Sequence, residues 1–281
     1  MLDLHQIIAK AYDLDPLPMS GIKLANLLAD PDSSLDDIVQ IVGLDQALAV
    51  RVLRAANSAA SAARSPVTTV KDAVVRLGRG TILTLGLGTR VRQQLQQPLP
   101  EFGLAENVLW RHSVAAALVV ETLGMLAPSP IPSEAYAAAL LHDIGKLVLA
   151  RFLDPELQAY LQRAQEEGCC DPLSAEMEIL EVNHAELGGI MARHWGLPNS
   201  LALAIQYHHS PSDERPPACH VVCVANQLAK VIVPESRVPR PHPEDDSTSF
   251  RAFGIDAQFE KKICAAVTLR FAKVLDLFGS G

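Results

Sequence analysis

The stretch Leu140-Leu141-His142-Asp143-Ile144-Gly145-Lys146 (LLHDIGK) sets an imidazole beside a carboxylate at the end of an apolar, alanine-rich run. Neighbouring residues on a helix project about 100° apart, so His142 and Asp143 can lean into one cavity. They fall where a helix should end, before Gly145, and the negative end of a helix dipole favours a cation there. An imidazole and a carboxylate, joined by imidazoles from other helices, suit Mn, Fe or Zn better than Ca or Mg. Helix bundles build such sites in their interiors.

Outward from this stretch the text reads as helix after helix. One is expected over Asn107–Leu123, a second over Glu134–His142 capped by Ser133, and a third over Lys146–Phe152. Asn183 with Glu186 three residues on has the spacing of a capping box. That helix should stop at Gly196, ahead of Pro198, and the next should start at Asn199 or Ser200 and end near His208-His209. Five of the nine histidines, His112, His142, His184, His208 and His209, sit at helix-compatible places in this block. His5, His194, His220 and His242 are assigned no metal role.

Upstream, Ser34 precedes Leu35-Asp36-Asp37, an N-cap with acids in the first turn. Ile38, Val39, Ile41 and Val42 follow, Gly43 ends that helix, and Asp45 caps Gln46–Ala56. Helix, short turn, helix is also the outline of a DNA-binding helix-turn-helix. The second helix, however, offers only Arg51 and Arg54, against four acids between Asp32 and Asn57, so packing is the preferred reading.

Bulk properties agree. Of 281 residues, 49% are apolar and 5% aromatic, enough for a sizeable core built from strong helix formers. The β-branched run within Cys219–Val224 is too short to carry a sheet. The net charge of −8 speaks against gripping a nucleic acid backbone. The basic stretch of Lys71, Arg76, Arg79, Arg90 and Arg92 reads as solvated surface. Five cysteines without a CxxC suggest free thiols and a cytoplasmic location. The N-terminus lacks a basic signal-peptide region, and no membrane insertion is expected.

LLHDIGK resembles the core motif of the HD superfamily of metal-dependent phosphohydrolases, and LWRHSVAAA places His112 like that superfamily's first ligand. The segments PLP (Pro16–Pro18), LDQALAVRVLRAANSA (Leu44–Ala59), VKDAVVRLGRGTIL (Val70–Leu83) and NHAELGGIMARHWGLPNSLALAIQYHH (Asn183–His209) resemble the HDOD family, the HD-related output domains of bacterial signalling proteins. The resemblance implies an all-α fold. An N-terminal helical lobe (14–95) would pack on an HD-like lobe (104–231), together one domain over 14–231. A flexible loop over 232–249 and a C-terminal helical extension over 250–281 would follow.

The resemblance also assigns residues by position. His112, His142 and Asp143 match one metal's ligands. His184, His208 and His209 match those of a second metal in the related HD-GYP phosphodiesterases. Lys146 matches a lysine near the scissile phosphate. The acid that normally closes the site is replaced by Asn226, and Ser210-Pro211 follow His208-His209 where a GYP motif would stand. The first lowers the negative charge around an ion and removes a possible base; the second argues against cyclic-di-GMP hydrolysis of the HD-GYP type. The expectation is a stand-alone bacterial regulatory protein acting through signalling protein partners, holding one or two Mn, Fe or Zn ions. The alternative is a metal-dependent phosphohydrolase acting on a nucleotide or other phosphate ester. A nucleotide is the candidate small ligand.

Overall fold

The computed structural model describes residues 9, 17–58, 66–151, 153, 158–159, 172–236 and 247–279, and among them every regular element is a helix. The β geometry among these residues is an isolated bridge, Leu99 to Leu104. No helix among them is long and apolar enough to cross a membrane.

The N-terminal lobe packs α1 (Met19–Ala29), α2 (Leu35–Leu44), α3 (Gln46–Ala56) and α4 (Val70–Gly86) against one another, and α5 (Gly88–Gln96) leads out of it. Ser34 and Asp37 form the reciprocal capping box of α2, and Asp45 caps α3 through the Leu48 amide at 2.9 Å. These caps join residues three apart, which is why the sequence announces them. The α2–α3 pair turns Ile38, Val42, Leu48 and Val52 inward. Asn57, inside the ANSA segment, clasps both backbone groups of Val67, at 2.7 and 2.8 Å. In the basic stretch, Lys71 pairs with Asp36 and Arg79 donates to Ser33, so both are tied to this lobe's own surface.

The second lobe wraps α6 (Val108–Leu126). This helix is apolar nearly all round and correspondingly buried, with α7 (Ala135–Leu141), α12 (Pro217–Ile232) and α14 (Ala257–Gly279) against it. The short α8 (Gly145–Leu149) packs on α10 (His184–His194), which pairs with α11 (Asn199–Gln206). Helix α9 (Pro172–Leu180) precedes α10, and α13 (Ser247–Ala252) packs on α12. Contacts of α5 with α6 and of α4 with α7 join the lobes; in the latter, Thr84 Oγ1 meets the Tyr136 hydroxyl at 3.1 Å.

Several local expectations are corrected. Helix α2 runs through Gly43 to Leu44, and α6 continues to Leu126. Ser133 does not cap α7; its hydroxyl donates across the lobes to the Ala29 carbonyl at 3.1 Å. Helix α8 is shorter than expected and ends at Leu149, while Phe152 lies outside the described residues. Cys219–Val224 carries no sheet, as expected, and is buried in the first half of α12. The expected loop over 232–249 is partly helical: Ile232 ends α12, Pro234–Ser236 is a 3₁₀ turn and α13 starts at Ser247. Residues 237–246 lie outside the described residues.

Candidate metal centre

Five parts of the second lobe deliver side chains to one buried point. His112 comes from α6, His142 and Asp143 from the turn between α7 and α8, and His184 from the first position of α10. His208 and His209 come from the turn after α11, and Asn226 from α12. Gly145 permits the closest of these approaches: a Cβ there would land on the His184 carbonyl oxygen. The glycine of LLHDIGK therefore lets the His142-Asp143 turn reach the helix that carries His184.

The ring orientations follow from the ends of the helices. The last carbonyls of a helix lack intrahelical donors. His142 Nδ1 fills one such place, 2.8 Å from the Ala139 carbonyl, and His208 Nδ1 does the same at 2.7 Å from Ile205. A neutral ring that meets a carbonyl through Nδ1 carries its proton there, leaving a lone pair on Nε2. His184 Nδ1 faces the Glu176 carboxylate at 2.7 and 2.9 Å, which likewise turns its Nε2 inward. His112 Nδ1 lies 3.0 Å from Ser236 Oγ. That hydroxyl donates to the Val233 carbonyl at 2.7 Å, so it accepts from His112.

Four Nε2 atoms thus turn inward, with lone pairs on those of His112, His142 and His208. His112 Nε2 lies 3.2 Å from His142 Nε2 and 3.1 Å from Asn226 Oδ1. Three electron-rich atoms this close repel unless positive charge lies among them. His208 Nε2 and Asp143 Oδ1 are buried without a hydrogen-bond partner. The donor atoms divide into two groups, each within 4.8 Å: His112, His142 and Asp143 in one, His184, His208 and His209 in the other. The Asp143 carboxylate spans them. Its Oδ2 is 3.4 Å from His142 Nε2, and its Oδ1 is 3.2 Å from His184 Nε2. Imidazoles, one carboxylate and an amide oxygen fit a divalent Mn, Fe or Zn ion. Lys146 Nζ sits 2.8 Å from Asp143 Oδ2.

The protonation states suit a cation. Burial alone would raise Asp143, but His142, Lys146 and His184 outweigh it and hold the carboxyl well below its usual range. Burial, reinforced by neighbouring imidazoles, pushes His112, His208 and His209 well down, and burial also lowers His142. These rings stay neutral and able to donate a lone pair near pH 7. His184 goes the other way: burial lowers it, but the Glu176 carboxylate overcomes that and raises it.

The geometry brings together all six residues that the resemblance assigned to metals, with Lys146 and Asn226 beside them. His220 is elsewhere, bonded to Ser249 at 2.9 Å, and His194 is an exposed residue at the end of α10. His5 and His242 lie outside the described residues. Two residues that shape the centre were not foreseen, Glu176 and Ser236. Glu176 is one of several acids in its stretch, and only its 1% exposure singles it out. Ser236 lies 124 positions from the ring it meets, beyond any spacing rule.

Comparison with known proteins agrees with this architecture. The sequence model of the HDOD domain family matches residues 14–211. The chain is 26% identical over 234 residues, 81% of its length, to an uncharacterized protein of Treponema pallidum (strain Nichols), and spans 45% of that protein. Its fold is similar to that of an HDOD domain protein with unknown function from Geobacter sulfurreducens, with a TM-score of 0.70 at 23% identity over 98% of this chain and 99% of that one. It is also similar to a candidate signal transduction protein from Marinobacter aquaeolei VT8, with a TM-score of 0.72 at 22% identity over 98% of this chain and 64% of that one. With the family match covering well over half of the chain and the helices converging on one His/Asp centre, this protein belongs to the HDOD domain family.

Proposed function

We propose that this chain is a bacterial regulatory module that holds one or two divalent Mn, Fe or Zn ions in its His/Asp centre and acts through signalling protein partners rather than by turnover. The observation that carries this is enclosure. The side chains of His112, His142, Asp143 and His184 are at most 3% exposed, and Lys146 is bonded to the one carboxylate among the ligand candidates. Closed metal sites are structural, whereas catalytic ones keep a position open to substrate. A bound ion would supply the positive charge that the converging lone pairs lack, cross-linking α6, α10 and the turns after α7 and α11. Asn226, a neutral amide where the superfamily has an acid, supports the same reading, as does the association of HDOD domains with signalling.

A second function, metal-dependent hydrolysis of a nucleotide or other phosphate ester, draws on a different observation. Asp143 lies between two groups of ligands, as a bridging carboxylate does in two-metal hydrolases, with Lys146 beside it. One experiment separates the two. Protein purified without chelator is analysed for metal and assayed on cyclic dinucleotides and bis-p-nitrophenyl phosphate. The expected result is near-stoichiometric Mn, Fe or Zn, lost in His142→Ala and Asp143→Ala, without turnover. Metal-dependent turnover would replace the regulatory proposal by the hydrolytic one, and a metal-free, folded protein would remove the metal from both.

A further inference from the structure

Among the groups that hold the rings of the centre in place, Glu176 differs in kind. His142 and His208 are held by backbone carbonyls at their own helix ends, which any sequence in that conformation supplies. Glu176 is a carboxylate on a separate helix, 1% exposed, and its described hydrogen bonds go to a single residue. It accepts from the His184 backbone amide at 2.7 Å and from His184 Nδ1 at 2.7 and 2.9 Å. The chain reverses between the two through Glu181, whose φ of 56° is a left-handed conformation seldom adopted outside glycine. A buried carboxylate is expensive unless well bonded, and a left-handed glutamate adds to the expense. Glu181 stands just past the end of α9, where a left-handed residue is a common helix stop, so the buried carboxylate is the feature that packing does not require.

We infer that Glu176 is a positioning residue for the metal centre: it fixes His184 with Nε2 directed at Asp143 and His209, and supplies a second buried negative charge to a ligand set that contains only one. Asp143 is that one; the other donors, imidazoles and the Asn226 amide, carry no negative charge. Through the Nδ1–H bond Glu176 makes the His184 lone pair more basic, as carboxylates behind metal-bound histidines do. The metal centre proposed above is the premise, and the test separates the two.

The test titrates metal-stripped protein with Zn²⁺ by calorimetry and follows the ring nitrogens by ¹⁵N NMR, with His184 identified by the signals lost in His184→Ala. Wild-type His184 should be protonated at Nδ1, with Nε2 the nitrogen that shifts when Zn²⁺ is added. Glu176→Gln keeps the shape without the charge. It should weaken Zn²⁺ binding by about 10–100-fold, the usual effect of removing such a partner, and shift the Nδ1–H proton signal upfield. Its melting temperature in chelator shows whether the fold is intact. Zn²⁺ affinity within threefold of wild type in folded Glu176→Gln overturns the inference. So does a wild-type His184 ring unprotonated at Nδ1, a result that requires no variant to fold. Wild-type protein that binds no Zn²⁺, Mn²⁺ or Fe²⁺ overturns the premise instead, whatever the state of the ring.

Discussion

Gly145→Ala pits two effects of opposite sign against each other. In an isolated helix the change is favourable by about 0.8–1.0 kcal/mol, because alanine loses less backbone freedom. Gly145 opens α8 and its φ is not in the left-handed region, so conformation alone predicts a gain. Its surroundings predict the reverse. The added Cβ falls on the His184 carbonyl oxygen and lies 2.9 Å from both the His184 carbonyl carbon and the Gly188 amide nitrogen. All three are backbone atoms, so no side chain can swing aside. Ordinary carbon contacts lie at about 3.5–4.0 Å, so α8 and α10 must separate by roughly 1 Å or more. Overpacking of this kind costs about 1–3 kcal/mol, and rigid neighbours place it at the upper end. The net loss is about 2 kcal/mol, which lowers the melting temperature by about 4–8 °C in a domain of this size. The separation also draws Asp143 from His184, so the rise in melting temperature on adding Zn²⁺ should shrink in the variant. Thermal unfolding followed by circular dichroism, in chelator and in excess Zn²⁺, measures both. An unchanged or higher melting temperature with a full Zn²⁺ increment would refute the close approach of these helices as the reason for glycine.

Asn226→Asp places a carboxylate 3.1 Å from His112 Nε2, and affinity for Zn²⁺ or Mn²⁺ should rise about tenfold, the gain of roughly 1.4 kcal/mol expected when a neutral contact becomes a charged one; unchanged affinity by competition with a chelating dye would place Asn226 outside the coordination sphere. The metal-free protein should lose stability as pH falls from about 6.5 to 5, measured by urea unfolding in chelator. Burial holds His112, His142, His208 and His209 below the ordinary value, so below about pH 6.5 the unfolded chain binds protons that the folded one refuses, at up to about 1.4 kcal/mol per pH unit for each ring. His184 is raised by Glu176 against the effect of burial, so its contribution is full below its unfolded value and is lost as pH rises through its folded one. A flat profile between pH 5 and 6.5 would contradict the burial of neutral rings.

The features legible in the text are the local ones. Ser34, Asp45 and Asn183 are caps because a side-chain oxygen reaches an amide three residues on, an interaction written within four letters. Ser133 has the same chemistry and is not a cap, since its partner is the Ala29 carbonyl more than a hundred residues away. The candidate ligands were legible through the HD-type motif and the ANSA and HWGLP segments, and the glycine within LLHDIGK owes its place to a contact that no motif describes. Of two nearby acids, the sequence has no means to tell buried Glu176 from exposed Glu178.

By itself, then, the sequence determined the helical class, most caps and helix starts and the family, and it picked out six residues that the fold brings together. All of these are written in composition, short-range spacing or recognisable text. Only the tertiary structure decided that Asp143 lies between two groups of candidate ligands, that Glu176 and Ser236 meet two of the rings, and that His112, His142 and Asp143 are enclosed. Those depend on which helix surfaces meet. Helix packing brings together atoms up to 124 residues apart, and burial gives their charges and protons energies they would not have in water.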